Sequence, residues 1–90
     1  MIEVVVYSKP GCHLCDVVKE QLARLCTSYP FDFRETNILE DPESFEKYKE
    51  EIPVVFINGK KAFKYRLDEK EFVRRLQKIL DAEREITRGA

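Results

Sequence analysis

The sequence predicts an α/β domain built on a four-stranded mixed sheet flanked by three helices, in the order β-α-β-α-β-β-α. Three observations lead there. Short apolar runs alternate with amphipathic helical patterns, as they do in βαβ units. Asn58-Gly59 separates two strand-like runs, the signal of a two-residue hairpin. The final long segment carries an apolar stripe at helical spacing, so the chain closes on a helix.

Each element follows from its own pattern. Ile2 to Tyr7 is β-branched or apolar at nearly every position, as in a strand covered on both faces. Ser8-Lys9-Pro10-Gly11 breaks it. Over 13–26, Leu14, Val17, Val18, Leu22, Leu25 and Cys26 recur at helical spacing and predict a helix with that face buried. Tyr29-Pro30 ends it, and Phe31 to Glu35 alternates like a second strand. Asp41 followed by Pro42 marks a helix start, with Phe45 and Tyr48 on its apolar side. Ile52 to Ile57 and Lys60 to Tyr65 read as the third and fourth strands around the hairpin turn. Asp68 caps the last helix, whose stripe is Phe72, Val73, Leu76, Ile79, Leu80 and Ile86. The first two strands, joined through a helix, are expected to be parallel with a right-handed crossover, and the hairpin pair antiparallel. Residues 1–86 form one domain on this reading, with a frayed tail at 87–90.

Composition narrows the function. The chain has 90 residues, 43% of them hydrophobic, enough for one core. With 16 basic and 17 acidic residues, the net charge of −1 argues against a nucleic-acid or anionic-membrane partner. No apolar run reaches membrane length, and the chain enters a strand pattern too early for a signal peptide. Three cysteines make an odd count for a secreted disulfide framework, so a reducing cytoplasm is the expected location. A single domain with no surplus apolar face is expected to be a monomer.

The chemistry concentrates at Cys12-His13-Leu14-Cys15, directly after the first strand and at the head of the first helix. Two thiols at this spacing can close a small disulfide or share one metal ion. Unpaired N–H groups and the positive dipole end at a helix N-terminus stabilise a thiolate, the form that reacts in disulfide exchange. The placement therefore reads as a redox motif. A metal-binding module using the same pair is the competing class, because two thiolates suit soft metal ions. Small metallochaperone domains that carry such a pair finish on a strand, whereas this chain finishes on a helix. A structural zinc site lacks a second pair of ligands. No metal ligands are assigned.

Three segments together resemble the glutaredoxin branch of the thioredoxin superfamily: Tyr7-Ser8-Lys9-Pro10-Gly11-Cys12-His13-Leu14-Cys15, then Glu51-Ile52-Pro53-Val54-Val55-Phe56-Ile57-Asn58-Gly59, then Asp68 at the start of the last helix. The resemblance spans residues 2 to about 80. It implies a thioredoxin/glutaredoxin fold and a thiol-disulfide oxidoreductase, with Cys12 as nucleophile, Cys15 as resolving thiol, Pro53 as a cis-proline beside them and Lys9 as a nearby cation. Two segments depart from the family's glutathione-using members. His13-Leu14 replaces Pro-Tyr between the cysteines, and Lys64-Tyr65 stands where a Gly-Gly pair precedes the last helix. The better match is to glutaredoxin-like proteins with His-Leu between the cysteines.

Within that frame each residue has an expected role. Cys12 at the helix cap faces solvent, and Cys15, one turn inside, is shielded and attacks only the mixed disulfide. A cationic His13 favours the thiolate and makes the pair more oxidising. Leu14 offers an apolar contact face, and Cys26 on the apolar stripe reads as a core cysteine. By itself Pro53 is a strand-start proline. In the cis form the resemblance implies, Ile52 presents its backbone N–H and C=O to an extended substrate, which adds as a strand. The expected substrates are disulfide-containing proteins or glutathione mixed disulfides. No cofactor is expected to be bound. The electron donor is either glutathione or a dithiol reductase, including flavin-dependent ones. A glutaredoxin-like scaffold holding a [2Fe–2S] cluster through Cys12 is the alternative within the same fold.

Overall fold

The alternation of side chains along the first strand sets the architecture. In the computed structural model, which describes residues 2–89 and side chains of 2–84, β1 (Ile2–Ser8) buries Ile2, Val4, Val6 and Ser8 on one face. Glu3 is exposed and Val5 and Tyr7 are half-buried on the other, so the strand is two-faced rather than evenly covered. The remaining elements are α1 (His13–Leu25), β2 (Phe31–Asn37), a 3-10 turn (Ile38–Glu40), α2 (Pro42–Tyr48), β3 (Val54–Ile57), β4 (Lys60–Lys64) and α3 (Glu69–Gly89). α3 continues into the segment 87–90 expected as a frayed tail; Ala90, and the side chain of Ile86 expected in the stripe, lie outside the described residues.

The sheet runs β2-β1-β3-β4, with β1 parallel to β2 and antiparallel to β3, and β3 antiparallel to β4. Ser8 pairs with Asn37 and Tyr7 with Val54. The loop leaving β1 toward Cys12 and the segment entering β3 through Ile52-Pro53 therefore lie at the same end of the sheet. The hairpin lies at the opposite end, where Val4 pairs with Ile57.

α1 and α3 close the main core. Val18, Leu22 and Leu25 of α1 and Phe72 and Leu76 of α3 pack with Ile2, Val4, Val6, Val55 and Ile57. Phe72 stands edge-on to Phe31, with centroids 5.3 Å apart, and 6.3 Å from Phe63. α2 serves the opposite side of the sheet: Tyr48 lies 4.7 Å from the Tyr7 ring and 5.8 Å from Phe56. This is a thioredoxin-like fold.

The local signals in the sequence act as expected. Asp41 accepts the Glu43 N–H at the start of α2, and Asp68 accepts the Glu71 N–H at the start of α3. Asn58 (φ 48°) and Gly59 (φ 81°) both take left-handed conformations, the geometry of a type I′ hairpin. The Asn58 side chain also accepts the Glu3 N–H at 2.9 Å and ties the hairpin to β1.

Three further expectations are corrected. The buried row of α1 is Cys15, Val18, Leu22 and Leu25, whereas Leu14 and Val17 are 40% and 39% exposed. Both sit on the adjoining helical row, one position before the buried one, and packing on a single sheet face leaves that row outside. β3 begins at Val54 rather than Ile52, because proline donates no ladder hydrogen bond. β2 runs on past Glu35 to Asn37, held by its parallel register with β1.

Candidate functional site

Gly11 and Cys12 build the turn into α1. Gly11 takes φ 77°, which glycine adopts without the cost an L side chain meets, and so brings Cys12 onto the helix axis. Cys12 is the N-cap residue, in an extended conformation, and its sulfur accepts the Cys15 N–H at 3.3 Å. A thiol thus occupies the place usually held by a serine, threonine or aspartate oxygen. Its sulfur also meets the positive end of a helix of 13 residues, which favours the anionic form.

The two cysteines are differently placed. Cys12 is half-buried, while Cys15 has no exposed surface. Their Cα atoms are 5.2 Å apart and their sulfurs lie at disulfide-bonding distance. Cys15 packs with Ile38 and Ile52, against which Cys12, Tyr7, Phe45 and Tyr48 also lie. This small apolar cluster belongs to the end of the sheet where β1 and β3 meet. Packed within it, Cys15 is closed off from water.

Of the other expected site residues, Lys9 and His13 are exposed, and neither side chain forms an ion pair among the described residues. Pro53 is fully buried and the Ile52–Pro53 peptide is cis. Ile52 lies beside Cys15 as expected, but its N–H already bonds the Tyr48 carbonyl at 3.1 Å. The two-bond backbone cradle expected of Ile52 is therefore not free: the donor half is used to end α2. Cys26 is half-buried rather than fully in the core, and its thiol donates to the Ala23 carbonyl at 3.2 Å.

Two groupings escaped the sequence reading. Buried Ser8 donates its hydroxyl to Glu35 at 2.6 Å, and Lys19 of α1 reaches the same carboxylate at 2.6 Å. The hydrogen bonds from Lys19 and then Ser8 hold the Glu35 carboxyl below the ordinary range; Glu35 in turn raises the Lys19 ammonium. This bridge pins the end of β1, just before the loop that carries Cys12, to β2 and α1. No local spacing links positions 8, 19 and 35, so nothing in the sequence announces it.

The second grouping is a clamp on the loop that carries Ile52-Pro53. Tyr65 is left-handed (φ 69°), its N–H bonds the Pro53 carbonyl at 2.8 Å, and its hydroxyl donates to the Glu50 carbonyl at 3.0 Å. Lys61 and Lys64 reach Glu51 at 2.9 and 3.6 Å, and the hydrogen bond from Lys61 holds the Glu51 carboxyl below its ordinary range. The departure from a Gly-Gly pair at Lys64-Tyr65 was the available signal, since a side chain in a left-handed turn needs compensating contacts.

Comparison with known proteins agrees with this geometry. Residues 3–77 match the family described as Glutaredoxin-like domain (DUF836). A curated relative from Dictyostelium discoideum, the "Glutaredoxin-like protein YDR286C homolog", is 32% identical over 85 residues, covering 88% of this chain and 79% of that one. Among solved structures, protein Ne2328 from Nitrosomonas europaea superposes with a TM-score of 0.68 at 30% identity, over 77% of this chain and 84% of that one. Thioredoxin 1 from Thermosipho africanus superposes with a TM-score of 0.68 over 91% of this chain and 98% of that one; at 13% identity it shows the fold alone. The family match and the cysteine pair together support a thiol redox role. No described helix is long and apolar enough to cross a membrane. With the family match running through every strand and into α3, the chain belongs to the glutaredoxin-like domain family.

Proposed function

We propose that the protein is a thiol-disulfide oxidoreductase that reduces disulfides in proteins or mixed disulfides, with Cys12 as nucleophile and Cys15 as resolving thiol. The observation that carries this reading is the unequal exposure of two bondable sulfurs, Cys12 half-open at the helix cap and Cys15 sealed one turn inside. An outside disulfide meets Cys12 first. Cys15 has no path to anything but the Cys12 sulfur.

The Cys12 thiolate attacks one sulfur of the target disulfide, forming a mixed disulfide and expelling the other target sulfur as a thiolate, which takes a proton from water. Cys15 loses its proton and attacks the Cys12 sulfur. The second target sulfur leaves as a thiolate and is protonated in turn. The target has gained two electrons from the Cys12–Cys15 pair and two protons, one of them balanced by the proton Cys15 releases and the other drawn from water. A thiol or dithiol reductant, glutathione or a dithiol reductase, returns the pair to its starting state by the reverse exchange. Lys9, exposed three residues before Cys12, supplies a cation on the loop that leads into α1, and the positive end of α1 favours the Cys12 thiolate. The cycle suits a reducing compartment such as the cytoplasm.

The test is reduction of insulin and of a small mixed disulfide by the purified protein. It is run with dithiothreitol and, separately, with glutathione plus glutathione reductase. Cys12→Ser is expected to abolish turnover. Cys15→Ser is expected to accumulate a covalent adduct with the target, visible as an added mass that reduction removes. Absence of turnover with both reductants, or an adduct that survives Cys12→Ser, overturns the reading.

A further inference from the structure

Four large hydrophobic side chains are exposed among the described residues: Leu14 (40%), Val17 (39%), Leu39 (58%) and Tyr65 (43%). Three of them, Leu14, Val17 and Tyr65, line one groove between α1 and the turn after β4, closed by Gln21, Arg66 and Leu67. Leu14 stands between the two redox cysteines in the chain, so this groove reaches the first turn of α1, the turn that Cys12 caps.

We infer that this groove is a specificity pocket for one bulky apolar side chain, next to the target cysteine, on a polypeptide substrate. The inference rests on the oxidoreductase reading of Cys12 and Cys15 and adds the class of substrate. Three features identify the occupant. The groove holds about 220 Å³, below the roughly 300–1,000 Å³ of small-molecule sites and suited to a single side chain. Its far wall is fixed before anything binds, because Tyr65 is tied by its N–H to Pro53 and by its hydroxyl to Glu50, so little ordering cost remains for the complex. Arg66 lines the same groove with its guanidinium in no ion pair among the described residues, which favours an acidic residue following the apolar one.

The state of Ile52 strengthens the case. Its N–H is spent on Tyr48, so an extended substrate has at most the carbonyl for strand pairing there. Main-chain pairing alone then holds the target weakly, and the side-chain pocket at the first turn of α1 supplies the remaining affinity. Gln21, whose amide donates to the Leu67 carbonyl and to Glu69, keeps the polar end of the groove in place.

The test uses two disulfide-cyclised peptides, identical except that the first cysteine is followed by Leu-Asp or by Ser-Asp. Both are reduced by the whole protein with dithiothreitol as donor, and the uncatalysed rate is subtracted. The expected result is a kcat/KM about tenfold or more higher for the leucine peptide, the discrimination an apolar pocket gives. Val17→Ser, at an exposed helix position, and Tyr65→Gly, which removes the wall where glycine suits the backbone, are each expected to erase that preference through a higher KM for the leucine peptide. Equal kcat/KM for the two peptides, or a preference that survives both substitutions, overturns the pocket while leaving the oxidoreductase reading standing. Turnover of neither peptide overturns the oxidoreductase reading and the pocket with it.

Discussion

Tyr65 offers a measurement of what the left-handed turn after β4 costs. Replacing it by alanine and, separately, by glycine removes the same ring and the same hydroxyl bond to Glu50, and leaves the backbone N–H free to bond Pro53 in both. What differs is the residue holding φ near 69°. An L residue held there costs about 1–2 kcal/mol that glycine does not meet. Against this, glycine loses roughly 0.4–1 kcal/mol through its freer unfolded chain. The glycine variant is therefore expected to be the more stable by about 1 kcal/mol, the reverse of the order in a helix interior, where alanine leads by about 0.8–1 kcal/mol. Urea unfolding of the oxidised protein reads this directly. With a slope of about 1–3 kcal/mol per molar, the two midpoints separate by roughly 0.3–1 M at unchanged slope. An alanine variant with an equal or higher midpoint would show that the turn stores no backbone strain and that the left-handed geometry has been misjudged.

Two further outcomes follow from the same structure. Glu35 is gripped by Lys19 and Ser8 and titrates below its ordinary value, so its contribution is complete above about pH 4.3 and is lost as pH falls through the depressed value. Glu35→Gln should cost about 1 kcal/mol at pH 7, a figure discounted because the side chain is 42% exposed, and the gap to the native protein should close in acid; a gap of equal size at pH 7 and near pH 2 refutes the assignment. Phe72 is completely buried between Phe31 and Phe63, and Phe72→Ala should cost about 3–5 kcal/mol in urea unfolding; a loss below about 1.5 kcal/mol would mean that the ring does not anchor α3.

Features that a few neighbouring residues settle between them were legible along the chain. Asn58-Gly59 turns a hairpin because both residues tolerate positive φ. Asp41 and Asp68 start helices because their carboxylates reach N–H groups two and three residues ahead. Cys12 and Cys15 fall within one helical turn at the head of α1, and that spacing alone places their sulfurs within reach of each other. The tertiary structure decided what depends on residues far apart in the chain. Leu14 and Val17 share the helical periodicity of the buried row, and only the angle at which α1 lies on the sheet turned them outward beside Tyr65. The Ile52 N–H went to Tyr48 because α2 ends next to β3, and the Ser8–Lys19–Glu35 bridge formed because the parallel register set the ends of β1 and β2 side by side. Local conformational preference is written over three or four residues, whereas exposure and partner choice are settled by packing among elements that no short stretch of sequence contains.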